Sequence, residues 1–359
     1  MPDASCFSHT LDFTFRAGTS RGTMTQHRTH FVVIEQQGRR GIGECAPLPG
    51  LSVDDQPDFD QQLQRVLHQV RSAPLPTSEE ELHNALAALV PSQLPAVRFG
   101  VETAWRDWMH GGERQIFPAV MRPEFEPLPI NGLVWMGSSD NMRRQIDEKV
   151  AAGFRCIKLK IGAIDFAEEL RLLAHVRRHY DQGTVTLRVD ANGAFTPHEA
   201  LDKLHQLARY DIHSIEQPIR AGQVEAMAAL CQDTPVPIAL DEELIGVTGA
   251  DARCQLLDAI QPQYIILKPT LVGGLAAADA WIALAEARDI GWWATSALES
   301  NIGLNAIAQW VAQYRPSLPQ GLGTGQLYHN NIDSPMGINQ GYLSYDPERA
   351  WDLSLFGNE

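Results

Sequence analysis

The stretch Thr-Val-Thr-Leu-Arg-Val-Asp at residues 184–190 alternates polar with apolar side chains and ends on the aspartate Asp190. Successive side chains of a β-strand point to opposite faces, so the apolar residues share one face and Asp190 lies on the other. Two more apolar runs end on acidic residues, at Glu216, 26 residues on, and at Asp241, a further 25 residues on. One strand, one helix and two loops take about 25 to 30 residues, so this spacing predicts successive βα units.

Lysines continue the pattern on both sides of the acidic residues. Lys160 ends a strand-like run 30 residues before Asp190, with Lys158 on the same face, and Lys268 ends another run 27 residues after Asp241. In all there are eight strand-like runs, near residues 129–135, 155–161, 184–190, 212–217, 236–241, 263–268, 291–296 and 319–323. Helical stretches separate them. Eight strands with helical crossovers predict an α/β protein, a (β/α)8 barrel of the modified TIM type.

The amino-terminal third of the chain lacks this alternation, which indicates a second domain. We predict an α+β domain at residues 1–125, the barrel at 126–340, and a tail at 341–359 that packs back on the first domain. Glycine-rich stretches at 17–22 and 41–52 are predicted loops. The two strands predicted in this domain are 11–15 and 30–35.

The composition of the 359 residues, 44% of them hydrophobic, is that of an ordinary globular protein. The net charge is −15 and no basic run is present, so we expect no nucleic-acid partner. We expect neither a signal peptide nor a membrane span, since no apolar run approaches about 20 residues. Five scattered cysteines without a CxxC pair favour reduced thiols and a cytoplasmic protein. The pattern predicts no particular oligomeric state.

The charged residues end their strands, and the carboxyl ends of barrel strands surround the active site. Three converging carboxylates repel one another, so we expect a multivalent cation between Asp190, Glu216 and Asp241. An oxygen cage with open positions suits Mg²⁺, with Mn²⁺ as a substitute. No histidine occupies an equivalent position, which argues against zinc, and His213 is predicted to lie on the outer face of its strand.

A divalent cation that holds a carboxylate can stabilise the enediolate formed when the neighbouring α-proton leaves. The base must be neutral, although a free lysine titrates near 10.4. Burial, the mutual repulsion of Lys158, Lys160 and Lys268, and the nearby cation are expected to lower the pKa values of these lysines. Lys160 and Lys268 are expected to flank the metal from opposite sides, which permits proton removal from either face.

The motifs around these residues resemble those of the enolase superfamily, specifically its muconate-lactonising subgroup. They are Lys158-Leu-Lys160, Val189-Asp-Ala-Asn-Gly193, Ile215-Glu-Gln-Pro218, Leu240-Asp-Glu-Glu243 and Ile266-Leu-Lys-Pro-Thr270. The resemblance covers essentially the whole chain and implies Mg²⁺ bound by Asp190, Glu216 and Asp241. It also implies that residues 1–125 form a capping domain, whose loops at 17–22 and 41–52 close over the barrel mouth.

Further segments are similar to the o-succinylbenzoate synthases of that superfamily. They are 295–305, 321–326 and 331–335, together with 18–22 and 43–50 in the capping domain. The resemblance implies a lyase of menaquinone biosynthesis that acts on a small-molecule carboxylate. The implied reaction is the syn-dehydration of 2-succinyl-6-hydroxy-2,4-cyclohexadiene-1-carboxylate to 2-succinylbenzoate through a metal-stabilised enediolate.

The same resemblance implies a role for each residue of the site. Lys160 removes the proton α to the ring carboxylate and returns it to the departing hydroxyl. Lys268 stays protonated over the ring, and Lys158 lies near the substrate carboxylate. Ser296 and the backbone near Gly323 cradle the succinyl part. The implied substrate contacts are Asn192, Ser296, Gly323 and Arg21.

Two other functions remain open. Racemisation of N-succinylamino acids needs two opposed lysines, which this chain has. Dipeptide epimerases of the superfamily carry an Asp-x-Asp where this chain has Gly323-Thr-Gly325, which argues against epimerisation. A non-catalytic relative that serves as a binding protein is the other alternative, although the set of ligands and lysines is complete.

Overall fold

The computed structural model describes residues 2–19 and 22–357 of the chain. Its amino-terminal part is an antiparallel sheet of three strands, followed by helices. The strands, in this order in the sheet, are β1 (Asp3–Thr19), β2 (Gly22–Gln36) and β3 (Arg39–Cys45). The helices are α1 (Phe59–Ser72), α2 (Glu79–Leu89) and α3 (Pro95–Met109).

This sheet is more extensive than the sequence predicts. The predicted strands at 11–15 and 30–35 are too short, because β1 and β2 form one long hairpin. Of the predicted loop at 17–22, residues 17–19 and 22 lie in these strands. Of the predicted loop at 41–52, residues 41–45 lie in β3.

Two glycines of β3 explain why a strand is predicted there as a loop. A Cβ on Gly41 would lie 2.1 Å from the backbone oxygen of Ala104, and one on Gly43 would lie 1.9 Å from that of Gly100. Both contacts are with α3. The glycines therefore allow the strand and the helix to approach closely, which is a recognised role of glycine within strands.

The rest of the chain alternates strands with helices. The strands are β4 (Leu128–Pro129), β5 (Gly132–Val134), β6 (Cys156–Lys160), β7 (Thr186–Asp190), β8 (Ile212–Glu216), β9 (Ile238–Leu240), β10 (Tyr264–Leu267) and β11 (Gly291–Ala294). The helices are α4 (Ser139–Ala151), α5 (Phe166–His179), α6 (Pro197–Leu207), α7 (Val224–Asp233), α8 (Ala250–Ile260), α9 (Pro269–Val272), α10 (Leu275–Glu286) and α11 (Asn301–Ala312). Strands β5 to β11 form a parallel sheet in chain order. None of the helices within residues 2–19 and 22–357 has both the length and the apolar character needed to cross a membrane.

The predicted eighth strand at 319–323 is reduced to isolated bridges. Gln320 bridges Ile130 beside β5, and Gly321 bridges Thr295 beside β11. The segment starts with a proline, which has no N–H to donate. A Cβ on Gly321 would lie 2.7 Å from that of Thr295, so the two segments pack closely. These bridges close the sheet into a barrel.

The barrel strands keep the alternation that the sequence predicts. In β6, Ile157 and Leu159 are buried in the apolar core that the sheet shares with the surrounding helices. Lys158 and Lys160, on the other face of the same strand, line a cavity at the barrel mouth. Apolar side chains therefore face the helices, and the charged side chains face inward.

Strand β8 departs from this regularity at a β-bulge, where its register with β7 shifts between Leu187 and Arg188. The prediction that His213 lies on the outer face is wrong for this reason. Its ring lies 5.2 Å from that of Tyr264 and 6.2 Å from that of Trp293. Trp293 is inside the barrel, where the Arg188 guanidinium covers its ring at 3.9 Å. Burial, and then the charge of Arg188, lower the pKa of His213 to about 4, so it packs there as a neutral side chain.

The last described residues first pair with β4 and then return to the amino-terminal sheet. Strands β12 (Met336–Asn339) and β13 (Tyr342–Tyr345) form a hairpin that pairs with β4. Phe356 then packs against Phe7 and Phe31, with ring centroids 5.5 and 5.0 Å away.

Two buried carboxylates of the amino-terminal part bind the first N–H groups of barrel helices. Glu44 accepts hydrogen bonds of 2.8 Å from the N–H groups of Ser300 and Gly303 at the start of α11. Glu102 accepts hydrogen bonds of 2.7 and 3.2 Å from Leu275 and the residue after it, at the start of α10. The first N–H groups of a helix have no partner within it and carry partial positive charge. These two contacts therefore fix the amino-terminal part on the barrel.

Candidate active site

A cavity of about 620 Å³ opens at the carboxyl ends of the barrel strands, which is a usual size for a small-molecule site. Its charged lining includes Lys158, Lys160, Lys268, Asp190 and Glu216. Its apolar lining comes from both parts of the chain, with Leu133, Trp135, Leu298 and Leu327 from the barrel and Phe15, Met24 and Leu48 from the amino-terminal part. The amino-terminal part thus covers the cavity as a capping domain.

The structure places most of the predicted site residues together. Asn192, Ser296 and Gly323 line the cavity. Asp241 is not part of the lining but contacts the ammonium group of Lys268. Arg21, the predicted contact from the capping domain, lies outside the described residues.

The acidic residues and the lysines of the site form ion pairs with one another. The ammonium group of Lys158 lies 2.9 Å from Oδ2 of Asp190 and also donates to Glu216. The ammonium group of Lys160 lies 2.8 Å from the same Oδ2. The pairs come from adjacent strands, because Lys160 pairs in register with Asp190, and Asp190 with Glu216.

The lysines differ in their electrostatic environment. Burial lowers the pKa of Lys160 below its ordinary value, against the attraction of Asp190, and the Lys158 ammonium lowers it further. Burial opposes the charge of Lys158 and Lys268 as well, but their carboxylate partners raise both pKa values. The pKa of Lys160 is therefore lowered as expected, whereas the ion pairs with carboxylates raise the pKa values of Lys158 and Lys268.

The carboxyl groups also differ. Burial acts to raise all three pKa values, but two lysines hold the pKa of Asp190 well below its usual range, and Lys268 lowers that of Asp241. For Glu216, burial and then the charge of Asp190 raise the pKa above its usual range. A negative charge on Glu216, beside those of Asp190 and Asp241, is therefore unfavourable. A bound cation would offset the repulsion.

Asp190, Glu216 and Asp241 are the residues that could hold such a cation. They end or directly follow the adjacent strands β7, β8 and β9. Oε1 of Glu216 is buried and has no hydrogen-bond partner in the part of the chain that the structure describes, and a free carboxylate oxygen is a suitable ligand for a hard cation. Across residues 2–19 and 22–357, no three acidic, histidine or cysteine side chains already stand in a metal-binding arrangement. In this structure the lysines form ion pairs with the carboxylate oxygens. The three carboxylates therefore fit Mg²⁺ when these ion pairs are broken.

Asn192 connects the candidate base with a candidate ligand. Its Oδ1 accepts a hydrogen bond of 2.8 Å from Lys160, and its N–H donates one of 3.0 Å to Oδ1 of Asp190. Its Nδ2 donates to Glu242 at 3.0 Å. The residue has a φ of 45°, a conformation that asparagine tolerates better than most residues. Asn192 can therefore orient Lys160 as well as line the cavity.

The polar groups of Ser296 are already engaged within the protein. Its N–H donates to the backbone oxygen of Gly321 at 3.2 Å, and its hydroxyl donates to Glu299. Its Oγ also accepts a hydrogen bond of 3.1 Å from the N–H of Leu298. Only the remaining lone pair of this hydroxyl is left for a bound molecule.

Glu299 is a further residue of the site, and nothing in the sequence pattern marks it. It is fully buried, accepts hydrogen bonds from the hydroxyls of Thr270 and Ser296, and accepts another, of 2.7 Å, from the N–H of Ala297. It thereby joins the short helix α9, which follows Lys268, to the loop that carries Ser296. No spacing or alternation distinguishes this glutamate in the sequence, because its position follows from the packing of that loop on α9.

Two family models match the chain. The model described as MenC, N-terminal domain, matches residues 1–108. The model described as Enolase C-terminal domain-like matches residues 141–348, which is more than half of the chain.

Relatives match over nearly the full length. The o-succinylbenzoate synthase of Desulfotalea psychrophila is 45% identical over 354 residues, 93% of this chain and 96% of that protein. The crystal structure of MenC from Desulfotalea psychrophila LSv54 has a TM-score of 0.86 at 41% identity, and the match covers 96% of this chain and 99% of that one. A dipeptide epimerase from Enterococcus faecalis, solved with Mg and the dipeptide L-Leu-L-Tyr, has a TM-score of 0.83 at 19% identity over 97% of each chain, a likeness of fold.

Proposed function

The chain belongs to the o-succinylbenzoate synthase family of the enolase superfamily, and from this membership we propose how its cavity carries out the reaction. Its activity is the hydro-lyase step that forms o-succinylbenzoate in menaquinone biosynthesis. The observation that supports the mechanism is that three lysines and two carboxylates line one cavity, with the third carboxylate, that of Asp241, paired with Lys268 beside it. The cytoplasm is the compartment that we propose, from the scattered cysteines.

The proposed substrate is 2-succinyl-6-hydroxy-2,4-cyclohexadiene-1-carboxylate, a small dicarboxylate. Its ring carboxylate belongs at the charged end of the cavity, beside Lys158. Its ring fits the apolar wall that includes Leu133 and Trp135. This placement brings the carbon next to the ring carboxylate towards Lys160.

Asp190, Glu216 and Asp241 are the proposed Mg²⁺ ligands, with Mn²⁺ as a substitute. Members of the enolase superfamily bind Mg²⁺, as the epimerase solved with Mg illustrates. When bound, the ion supplies positive charge that offsets the negative charge developing on the ring carboxylate as the α-proton leaves.

Lys160 is the proposed base and acid. Its amine takes the α-proton, and the electrons of that C–H bond form a double bond to the carbon that carries the hydroxyl. The hydroxyl leaves as water with the proton that Lys160 returns, so both transfers occur on one face of the ring. The product ring is aromatic, which favours the elimination. Lys268 remains an ammonium ion held by Asp241 and stabilises the anionic ring from its own side.

A dehydration assay in Mg²⁺ tests this proposal directly, and the purified protein should form o-succinylbenzoate. The metal site is tested separately by Asp241→Asn, which should weaken Mg²⁺ binding by about tenfold or more, since loss of even an indirect metal contact has an effect of this size. Titration calorimetry without substrate measures the affinity. An unchanged Mg²⁺ affinity would remove Asp241 from the ligand set.

Racemisation of N-succinylamino acids is the second candidate function. Lys160 and Lys268 stand on or directly after strands that are four places apart in the sheet, so they approach the cavity from different sides. Proton removal by one and return by the other would invert a carbon centre. Rapid racemisation without formation of o-succinylbenzoate would reverse the order of the two candidates. The absence of both activities would leave a binding protein.

A further inference from the structure

Gln217 directly follows Glu216 at the carboxyl end of β8, and its backbone connects the strand ends that carry the acidic residues. Its N–H donates a hydrogen bond of 2.9 Å to the backbone oxygen of Ala239 on β9. Its own backbone oxygen accepts one of 2.7 Å from the N–H of Gly193, beyond the end of β7. The φ of Gln217 is 40°, a left-handed conformation that a side chain of this size adopts only where its surroundings fix it.

The side chain of Gln217 is fully buried, and both ends of its amide have partners. Its Oε1 accepts hydrogen bonds of 3.2 and 3.3 Å from the N–H groups of Asp241 and Glu243. Its Nε2 donates hydrogen bonds of 3.0 Å to the backbone oxygen of Ile219 and to Oε2 of Glu243. The amide therefore joins the loop that follows β8 to the segment that follows β9.

Glu243 completes this connection from the other side. Its Oε1 accepts a hydrogen bond of 2.8 Å from the N–H of Gly222, in the loop that follows β8. The residue is only 6% exposed, and a buried carboxylate is unfavourable unless hydrogen bonds satisfy it. Gln217 and Glu243 thus form a buried pair in which each side chain satisfies the other.

The direction of the Asp241 carboxylate depends on this pair. Asp241 directly follows β9, and a short 3₁₀ turn over Glu242–Leu244 comes next. Its side chain contacts the ammonium group of Lys268, while its N–H is held by Gln217. The same Oε1 of Gln217 also holds the N–H of Glu243, so one atom fixes the backbone on both sides of the Asp241 side chain.

We propose that Gln217 is a positioning residue of the candidate metal site, which sets the direction of Asp241 through its hydrogen bonds to Asp241 and Glu243. The inference rests on the ligands named in the proposed function and deepens that proposal. Glu216 is placed by the same residue, because it precedes Gln217 in the chain. Carboxylates that are already held in position bind a cation more tightly, since less order is lost when the ion arrives.

The test removes the amide with Gln217→Met, which keeps the length of the side chain. Titration calorimetry with Mg²⁺ alone should show about 10- to 100-fold weaker binding than in the wild type. Gln263→Met is the matched control, because Gln263 supports the same strand β9 at its opposite end. Its Oε1 accepts a hydrogen bond of 2.8 Å from the N–H of Ile238, and its Nε2 donates one of 3.1 Å to the backbone oxygen of Cys231.

Thermal unfolding of the same variants separates positioning from general stability. Both Gln217→Met and Gln263→Met leave backbone groups without partners, so both should have a lower Tm. Only Gln217→Met should weaken Mg²⁺ binding. An unchanged Mg²⁺ affinity in Gln217→Met, or equal weakening in both variants, would make Gln217 merely structural and overturn the inference.

A reciprocal exchange tests the hydrogen bonds themselves. The double variant Gln217→Glu with Glu243→Gln keeps the net charge and exchanges the two groups. A carboxylate at position 217 can accept from both backbone N–H groups and from the new amide at position 243, whose oxygen can accept from Gly222. Only the hydrogen bond to Ile219 is lost, so the Mg²⁺ affinity should stay within about fivefold of the wild type.

A double variant that binds Mg²⁺ as weakly as Gln217→Met would contradict a role through these hydrogen bonds. Should Gln217→Met not fold, Gln217→Asn takes its place, because its amide is one methylene too short to reach Asp241. A wild type that binds no Mg²⁺ would overturn the proposed metal site and this inference with it. A wild type that binds Mg²⁺, together with variants that bind it equally well, overturns this inference alone.

Discussion

Lys158 and Lys160 are two positions apart on β6, and yet their partners differ. Lys158 contacts the carboxylates of both Asp190 and Glu216. Within the described residues, Lys160 contacts a single carboxylate, that of Asp190, and donates its other hydrogen bond to the neutral amide oxygen of Asn192. With fewer anions around it, Lys160 loses its proton more readily, and this difference supports Lys160 as the base.

Replacement of Lys160, the proposed base, should affect turnover far more than ligand binding. We expect Lys160→Ala to lower kcat by about 10²- to 10⁴-fold, the usual contribution of a positioned general base, and to leave the affinity for o-succinylbenzoate within a few fold. Steady-state kinetics and product inhibition measure the two quantities. Lys203→Ala is the matched control, since that lysine packs over the ring of Phe195 outside the cavity. Near-normal turnover in Lys160→Ala would assign the base to another group.

The charged residues of the site could be predicted because each belongs to a strand. Alternation fixes the face of Lys160 or Asp190, and the position at the strand end fixes its height in the barrel. Glu299 and Thr270 could not be predicted in this way, because Glu299 lies in a loop and Thr270 in the short helix α9, and the two meet across 29 positions of sequence. The unequal pKa shifts of the lysines were also hidden, since they depend on which carboxylate oxygen each ammonium reaches.

At the scale of elements, helices and inner strands were predictable where the periodicity is regular. Strand β3 was not predictable, because the glycines Gly41 and Gly43 are typical of a loop. In the structure they allow a close contact with α3. At 319–323 the opposite occurs, since a strand is predicted where the structure has none. The apolar and glycine residues of this segment suggest a strand, but close packing against Thr295 leaves only single bridges there.

Glu44 joins two elements from different parts of the chain, β3 and α11, and its titration should appear in the stability of the protein. Burial is the main cause that raises the pKa of Glu44 to about 7 from a usual 4.5, while the hydrogen bonds from Ser300 and Gly303 oppose the rise. A raised pKa means that the folded state binds the proton more tightly than the unfolded state does. The stability that protonated Glu44 contributes is therefore complete below about pH 4.5 and is lost as the pH rises through about 7.

The variant Glu44→Gln does not titrate and removes this dependence. The free energy of unfolding of the wild type, relative to that of Glu44→Gln, should fall by about 3 kcal/mol between pH 4.5 and pH 8. Urea unfolding at steps across this range measures it. Glu225→Gln makes the same change of charge at an exposed site of α7 and serves as the control. A difference between wild type and Glu44→Gln that stays constant with pH would contradict the assignment.

At the scale of the whole molecule, three distant parts of the chain meet in one apolar cluster. Phe31 and Ile42 come from the amino-terminal sheet, Ile302 from α11 of the barrel, and Phe356 from the end of the chain. The backbone oxygen of Phe356 also accepts a hydrogen bond of 3.3 Å from Arg40 on β3. The tail therefore reinforces the same joint that Glu44 makes with α11, and through that joint it supports the capping domain over the cavity.

Truncation of the tail's aromatic anchor should loosen this joint without touching the cavity. We expect Phe356→Ala to lower the free energy of unfolding by about 1 to 3 kcal/mol, less than for a fully buried phenylalanine because this ring is only partly buried. Limited proteolysis should also cut the amino-terminal part faster, since its sheet loses a packing partner. Leu355→Ala is the matched control, because that neighbouring side chain is 41% exposed and should have little effect. Chemical unfolding and proteolysis of the two variants side by side measure the difference, and equal behaviour would show that the tail does not hold the capping domain in place.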